Sequence, residues 1–209
     1  MPSDWRAKIN TLRTNACAAM IAAGHDRSPC LATANNAIDD LSAPPPRASN
    51  GAAWELIADH VMGGVSNGTM RRELVEGRKA IQMQGDVSLE NNGGFLQIAL
   101  DLAADGSSVD ASGWSGIEID ILGNDESYNL HLRTADVTRP WQSYRQSFVA
   151  ETRWQTLRLP FAGFERHRIE AQLDLSRLRR IGLIAIGRAF HAEIALGGVR
   201  FFDKSGGAG

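Results

Sequence analysis

Gly64-Val65-Ser66-Asn67-Gly68 matches the Gly-x-Ser-x-Gly pattern that presents a nucleophilic serine on a sharp turn between a strand and a helix. That chemistry needs an acid and then a histidine further along the chain, and His131, His167 and His191 all lie downstream. It also needs the parallel sheet of an α/β fold, and the alternating strand and helix patterns that build one are missing. Hydrolysis through Ser66 is therefore a remote alternative. The plainer reading is a turn: Gly63, Gly64 and Gly68 permit backbone angles that other residues resist, and Asn67-Gly68 is expected to close a hairpin. Asp59 is placed to accept hydrogen bonds from the amides of this loop and lock it. A ligand or partner contact through Asp59, Met62, Gly63, Gly64 and Ser66 is the functional alternative.

A second set of polar residues alternates with apolar ones. Glu118 and Asp120 are interleaved with Ile117, Ile119 and Ile121, while Asn129, His131 and Arg133 are interleaved with Tyr128, Leu130 and Leu132. A period of two puts each polar set on one side of a strand and each apolar set on the other. With these strands side by side, and Gln97 and Arg145 on neighbouring ones, a single sheet face carries a polar stripe of both signs. Such a face can hold a sugar if an aromatic ring stacks beside it. Trp141 follows Arg139-Pro140 in a polar loop and is the candidate for that exposed anchor, whereas Trp54, Trp114 and Trp154 are expected to pack in the core or at its edge. The competing reading is a solvated face of ion pairs worth about 0.2–1 kcal/mol each.

Arg166-His167-Arg168 and Arg177, Arg179 and Arg180 form local basic clusters, which suit an acidic partner or an anionic lipid surface or simply remain solvated. No Cys-x-x-Cys, His-Glu-x-x-His or EF-hand spacing occurs, so no metal ligands are assigned. No Gly-x-Gly-x-x-Gly element follows a strand, so no cofactor is implied. The expectation is a binding protein with no catalytic residues.

The elements that must position these residues are strands. Glu76-Gly77, Asn91-Asn92-Gly93-Gly94 and Gly123-Asn124-Asp125 mark turns between the alternating segments. Ile181 to Gly187 is apolar on both faces and reads as a central strand. Glu193-Ile194-Ala195-Leu196 and Val199-Arg200-Phe201-Phe202 are expected to form a closing hairpin around Gly197-Gly198. Asp174 to Arg180 is the one helical candidate in this region, about two turns long. Many short strands with almost no helix predict an all-β fold, an antiparallel β-sandwich or jelly roll.

The chain has 209 residues, 21 glycines and a net charge of −2, with 43% hydrophobic content. No run of about 18 apolar residues is present to cross a membrane as a helix, and the near-neutral charge gives no general hold on a nucleic-acid backbone. Residues 1–50 differ from the rest. They are rich in Ala and poor in large apolar side chains, contain both cysteines, Cys17 and Cys30, and end near Pro44-Pro45-Pro46. They read as an extension, helical in part, with a proline-rich linker. The folded domain is expected over residues 51–204, followed by a flexible tail at 205–209.

The segment Trp54-Glu55-Leu56-Ile57-Ala58-Asp59-His60-Val61-Met62-Gly63-Gly64-Val65-Ser66, followed by Gly85-Asp86-Val87-Ser88-Leu89-Glu90-Asn91-Asn92-Gly93-Gly94-Phe95, resembles the opening of the complex I intermediate-associated protein family. The later pieces come in matching order: Tyr128 to Arg133, Tyr144 to Phe148, Trp154 to Phe161 and Phe190 to Val199. The likeness runs from about Trp54 to Phe202, and only the charge-rich segment Glu165 to Leu175, which lacks an expected glycine, departs from it. The resemblance implies a galactose-binding-like jelly roll. It also implies a protein-binding, chaperone-like role in assembling a respiratory NADH:ubiquinone oxidoreductase, with respiratory complex subunits as partners. The expected place of action is the cytoplasm, peripheral to the membrane, in a bacterium, or the mitochondrion in a eukaryote. A carbohydrate-binding function, through the face bearing Glu118, Asn129, His131 and Arg133, is the alternative that the same fold implies.

Overall fold

The structure is a computed structural model that describes residues 36–203. The greater part of the expected N-terminal extension, both cysteines and the tail at 205–209 lie outside the described residues. Twelve strands follow in chain order: β1 (Ala37–Asp39), β2 (Glu55–Ala58), β3 (Asn67–Val75), β4 (Arg78–Val87), β5 (Phe95–Asp101), β6 (Gly116–Leu122), β7 (Glu126–Thr134), β8 (Ser143–Ala150), β9 (Gln155–Pro160), β10 (Glu165–His167), β11 (Leu178–Ile186) and β12 (Phe190–Phe202). They build two antiparallel sheets. Sheet I has the order β3-β4-β12-β6-β9 with β1 paired to β12, and sheet II the order β10-β8-β7-β11-β5-β2.

The core lies between the sheets and is made by the apolar half of each alternation. Ile117, Ile119 and Ile121 of β6 face Tyr128, Leu130 and Leu132 of β7, together with Leu96, Ile98 and Leu100 of β5 and Ile181 and Leu183 of β11. Burying each such side chain contributes roughly 1.5–3 kcal/mol, so a one-residue slip in any of these strands exposes a whole row. As expected, β11 is central, lying between β7 and β5. On the outer side of sheet II, Ile184 of β11 is buried between Asn129 and Gln97, and Ala99 of β5 is buried cross-strand from Glu55.

Four local expectations are corrected. Residues 36–50, assigned to the extension and linker, belong to the sandwich: β1 pairs with β12, and the Asp39 carboxylate accepts the Trp54 indole N–H at 2.8 Å. Buried Ile38 and Leu41 supply the apolar anchorage that the alanine-rich composition concealed. Asn67-Gly68 opens β3 instead of closing a hairpin. The hairpin turn is at Glu76-Gly77, where both residues have positive φ, 46° and 77°, as a two-residue turn with right-handed twist requires.

Gly197-Gly198 is likewise no turn. The last strand runs unbroken over 13 residues, with a register shift between Leu196 and Gly198. A Cβ on Gly197 would come within 2.9 Å of the Trp154 ring, so the glycine admits an aromatic side chain against the strand. The helical candidate at Asp174–Arg180 is a single 3-10 turn, Leu175–Arg177. Asp174 caps it by accepting the Ser176 N–H, and β11 then begins at Leu178 because that buried side chain must enter the sandwich.

Candidate functional site

The Gly-x-Ser-x-Gly segment forms a buried joint. A short 3-10 turn, Asp59–Met62, leads into the glycines, and the Gly64 N–H returns to the Asp59 carbonyl at 3.0 Å. The Asp59 carboxylate has no exposed surface. Its Oδ1 accepts the Ser66 N–H at 3.0 Å, and its Oδ2 accepts the Gly94 N–H at 2.6 Å and the Phe95 N–H at 3.3 Å, with Ser66 Oγ 2.5 Å away. Ser66 Oγ in turn accepts the Ser88 N–H at 2.9 Å. Burial pushes the Asp59 pKa up, but donors from Ser66, Gly94 and Phe95 outweigh it and hold the carboxyl below the ordinary carboxylate value.

Asp59 thus locks the loop, as its position promised, but through the amides of Ser66, Gly94 and Phe95. The glycines make room for it. A Cβ on Gly64 would lie 2.3 Å from Asp59 Cγ, and one on Gly93 would lie 2.4 Å from Oδ2. Ser66 is fully buried and hydrogen-bonded, so its hydroxyl is closed to a substrate carbonyl. Beside the exposed His60, Glu90 and Asn91, the joint presents three apolar side chains outward. Met62 is 54% exposed, Val65 42% and Leu89 53%. Val65 and Leu89 adjoin the two serines whose hydrogen bond ties the loops together. Leu89 escaped the sequence reading because only the Ser66–Ser88 bond brings its loop here.

The predicted polar stripe is split between the sheets. Glu118 and Asp120 face outward from sheet I, whereas Asn129, His131 and Arg133 face outward from sheet II. The cause is the Gly123-Asn124-Asp125 link, which crosses from one sheet to the other. Gly123 and Asp125 donate to the carbonyls of Glu151 and Ala150, and the Asn124 amide donates to the His191 carbonyl. Glu118 is therefore removed from the candidate ligand face. It accepts Arg158 Nε and Arg200 Nε, both at 2.6 Å, while Asp120 accepts Arg200 Nη1 at 2.7 Å. Burial raises the Glu118 pKa, and the two guanidiniums more than reverse it. This is a closed ion-pair network.

On sheet II, His131 lies between Arg145 of β8 and Gly182 of β11. Its Nε2 is buried without a hydrogen-bond partner among the described residues. Burial, then the charges of Arg145, His167 and Arg133, push its pKa down to about 4, so the ring is neutral at pH 7. A Cβ at Gly182 would lie 2.1 Å from Gln97 Nε2, so the Gln97 amide occupies the gap that the glycine leaves. Asn129 accepts the Ser147 hydroxyl at 2.8 Å. Arg133 donates to the Arg139 carbonyl at 3.1 Å, and Arg139 lies over the Trp141 ring, 6.0 Å from its centroid. Trp141 is half exposed. Trp54 is buried, Trp114 stacks on Phe201, and Trp154 donates to the Val75 carbonyl. Sequence reasoning did not include Ser143 and His167 in this group, although Ser143, Arg145 and Ser147 alternate with Tyr144 and Phe148.

A depression of about 430 Å³ beside the Leu41–Pro45 segment is lined by Arg72, Leu74 and Lys79 among others, and by none of these site residues. Among the described residues no helix is long and apolar enough to cross a membrane.

The family model described as complex I intermediate-associated protein 30 matches residues 46–196. No curated protein matches the chain in sequence. Among solved structures, the chain is similar to the family 11 carbohydrate-binding module of a cellulosomal cellulase of Clostridium thermocellum, with a TM-score of 0.64 at 13% identity over 81% of this chain and 94% of that one. The same module in complex with a β-1,3-1,4-mixed-linked tetrasaccharide gives 0.63 at 13% identity, over 81% and 95%. A family 30 carbohydrate-binding module of another cellulosomal cellulase of that organism gives 0.52 at 13% identity, over 68% and 92%. At such identities these likenesses establish the jelly-roll fold alone.

Proposed function

Because the chain belongs to the complex I intermediate-associated protein 30 family, we propose that it is a protein-binding, chaperone-like assembly factor for a respiratory NADH:ubiquinone oxidoreductase. It acts in the cytoplasm at the membrane surface in a bacterium, or in the mitochondrion in a eukaryote. The observation that carries this reading is the set of exposed apolar side chains that the Asp59 joint holds outward. Met62, Val65 and Leu89 are held in water by a loop whose buried hydrogen bonds fix it in place, and fixed exposed apolar side chains are what a protein partner covers. Pre-ordering of the loop reduces the entropy lost on binding.

The test is cross-linking and capture from the native cell with the full chain, comparing the wild type with Met62→Asp and Val65→Asp. Respiratory subunits recovered by the wild type and lost in both variants support the reading. Recovery of no respiratory subunit by the wild type removes it.

A second reading, carbohydrate binding on sheet II through Asn129, His131 and Arg133, is favoured by the half-exposed Trp141 ring beyond that row. Both tyrosines, Tyr128 and Tyr144, are in the core, which leaves the strands of that face without a tyrosine platform for sugar rings. Glycan-array binding that disappears in Trp141→Ala and Arg133→Ala supports this reading. Retention in both variants removes the face from consideration.

A further inference from the structure

The outer face of sheet II carries a second constellation, on the three strands at one edge. Arg145 lies cross-strand from His131 on one side and Glu165 on the other, and Ser143 lies cross-strand from His167. The register that sets Leu132 against Tyr144 brings Arg133 opposite Ser143 one residue further on. Two rows result, His167-Ser143-Arg133 and Glu165-Arg145-His131. They stand about 7 Å apart along the strands, the repeat of alternate side chains.

Positive charge here is left uncompensated. On the same face Arg180 is paired with Asp101, at 3.0 Å, and with Glu55. Arg145 has no ion pair or hydrogen bond among the described residues, and Arg133 meets only a backbone carbonyl. The single carboxylate in the two rows, Glu165, does not reach Arg145 as an ion pair. Two neutral polar groups beside these cations are also unpartnered: Ser143 Oγ, on a residue only 4% exposed, and His131 Nε2. Both atoms are covered by the surrounding side chains, so what this face offers a ligand is the guanidinium charge. Guanidiniums suit a carboxylate, which accepts several hydrogen bonds at once.

We infer that this pair of arginines, Arg133 and Arg145, is the docking site for an extended acidic segment of the protein partner. The inference rests on the protein-binding reading above and names the chemistry of what is bound. An extended chain repeats its side chains every two residues at the same interval as the two rows. One acidic side chain then meets Arg133, and the next but one meets Arg145. Trp141, two residues before Ser143, supplies apolar contact where the segment leaves the sheet. An acidic glycan fits less well, because Trp141 is the one half-exposed tryptophan of the described residues and stands in a loop off the strands.

The test is titration of the full chain, followed by Trp fluorescence and calorimetry, with a synthetic octapeptide alternating Glu and Thr. A Gln-Thr octapeptide and a galacturonate trimer are titrated in parallel. The expected result is saturable binding of the Glu peptide alone, weakened at least tenfold in Arg145→Ala and in Arg133→Ala and reduced by 0.5 M salt, with thermal unfolding of the variants unchanged. Equal binding of the Glu and Gln peptides, undiminished binding in Arg145→Ala, or tighter binding of galacturonate overturns it. Cross-linking in the native cell separates this from failure of the broader reading. If Arg145→Ala captures the same respiratory subunits as wild type, the cluster is not the dock while the assembly role stands. If wild type captures none, the assembly role fails and the peptide titration alone judges the cluster.

Discussion

The Asp59 carboxylate and the Ser66 hydroxyl meet 2.5 Å apart in a joint with no exposed surface on either residue, and the same carboxylate reaches the amides of Gly94 and Phe95 across the sandwich end. One side chain therefore ties the loop after β2 to the loop before β5. Asp59→Asn puts an amide donor where N–H and O–H groups already point and is expected to cost about 2–4 kcal/mol. Ser66→Ala loses one bond and leaves Asp59 its amides, at about 1–2 kcal/mol. Urea unfolding measures both. The order reverses if Ser66 is the greater contributor to the joint.

The acid side of the stability profile follows from two groups acting in the same direction. Asp59 has a lowered folded pKa, so it stabilises the fold above the ordinary carboxylate pKa, and this is lost as pH falls through the lowered value. His131 is neutral in the fold down to about pH 4, while an unfolded histidine protonates near 6.5. Between those values the unfolded chain binds the extra proton, so stability declines as pH falls, by up to about 1.4 kcal/mol per pH unit. Arg145, Arg133 and His167 face the ring and oppose its protonation, with no acid among them. His131→Gln is expected to flatten the profile between pH 6.5 and 4 while leaving the loss at lower pH. Denaturant midpoints across pH 3.5–7.5 check this, and an unchanged slope in the variant refutes it.

Two glycines that look alike in the sequence differ in what surrounds them. A Cβ on Gly85 of β4 would meet the Asn67 carbonyl oxygen at 2.1 Å and the Gly68 Cα at 2.4 Å, both backbone atoms of the neighbouring strand. A Cβ on Gly182 of β11 would meet the end of the Gln97 side chain, which can swing away. Gly85→Ala is expected to cost at least about 2 kcal/mol and Gly182→Ala less than about 1 kcal/mol. Thermal unfolding of the pair decides the matter, and equal losses contradict it.

Strand identity was legible in the sequence wherever one face is wet and the other dry. Ile117 to Ile121 and Tyr128 to Leu132 fall in strands with the expected side inward, and the doubly apolar Ile181 to Ile186 is central. Which sheet a strand joins was not legible, because period two fixes a face and carries no information about neighbours. Glu118 and His131 were accordingly placed together, although the Gly123-Asn124-Asp125 link sends them to opposite sides of the sandwich. The glycine-based turns failed for a related reason. A glycine chosen for close approach, as at Gly197 under Trp154 or Gly64 against Asp59, looks the same in sequence as one chosen for positive φ. Within the candidate site, Asp59 and Trp141 were readable from local chemistry, whereas Leu89 and Ser143 depend on contacts far along the chain.

Glu118 illustrates how a polar strand residue that invites a ligand can be fully occupied by its neighbours. It is 8% exposed and held by Arg158 and Arg200, which also engages Asp120. Glu118→Gln leaves two guanidiniums around a neutral amide, so a loss of about 1–3 kcal/mol is expected, and a double-mutant cycle with Arg200→Met should give a coupling of about 1–3 kcal/mol. Trp141 is the opposite case: half exposed on a loop, it contributes little to folding, and Trp141→Ala should change stability by less than about 0.5 kcal/mol. The two variants therefore dissociate. Glu118→Gln lowers the denaturant midpoint while preserving partner capture under conditions where it stays folded, and Trp141→Ala preserves the midpoint while weakening binding on sheet II. Parallel unfolding and capture assays on both proteins test this, and loss of binding in folded Glu118→Gln would return the outer face of sheet I to the list of functional surfaces.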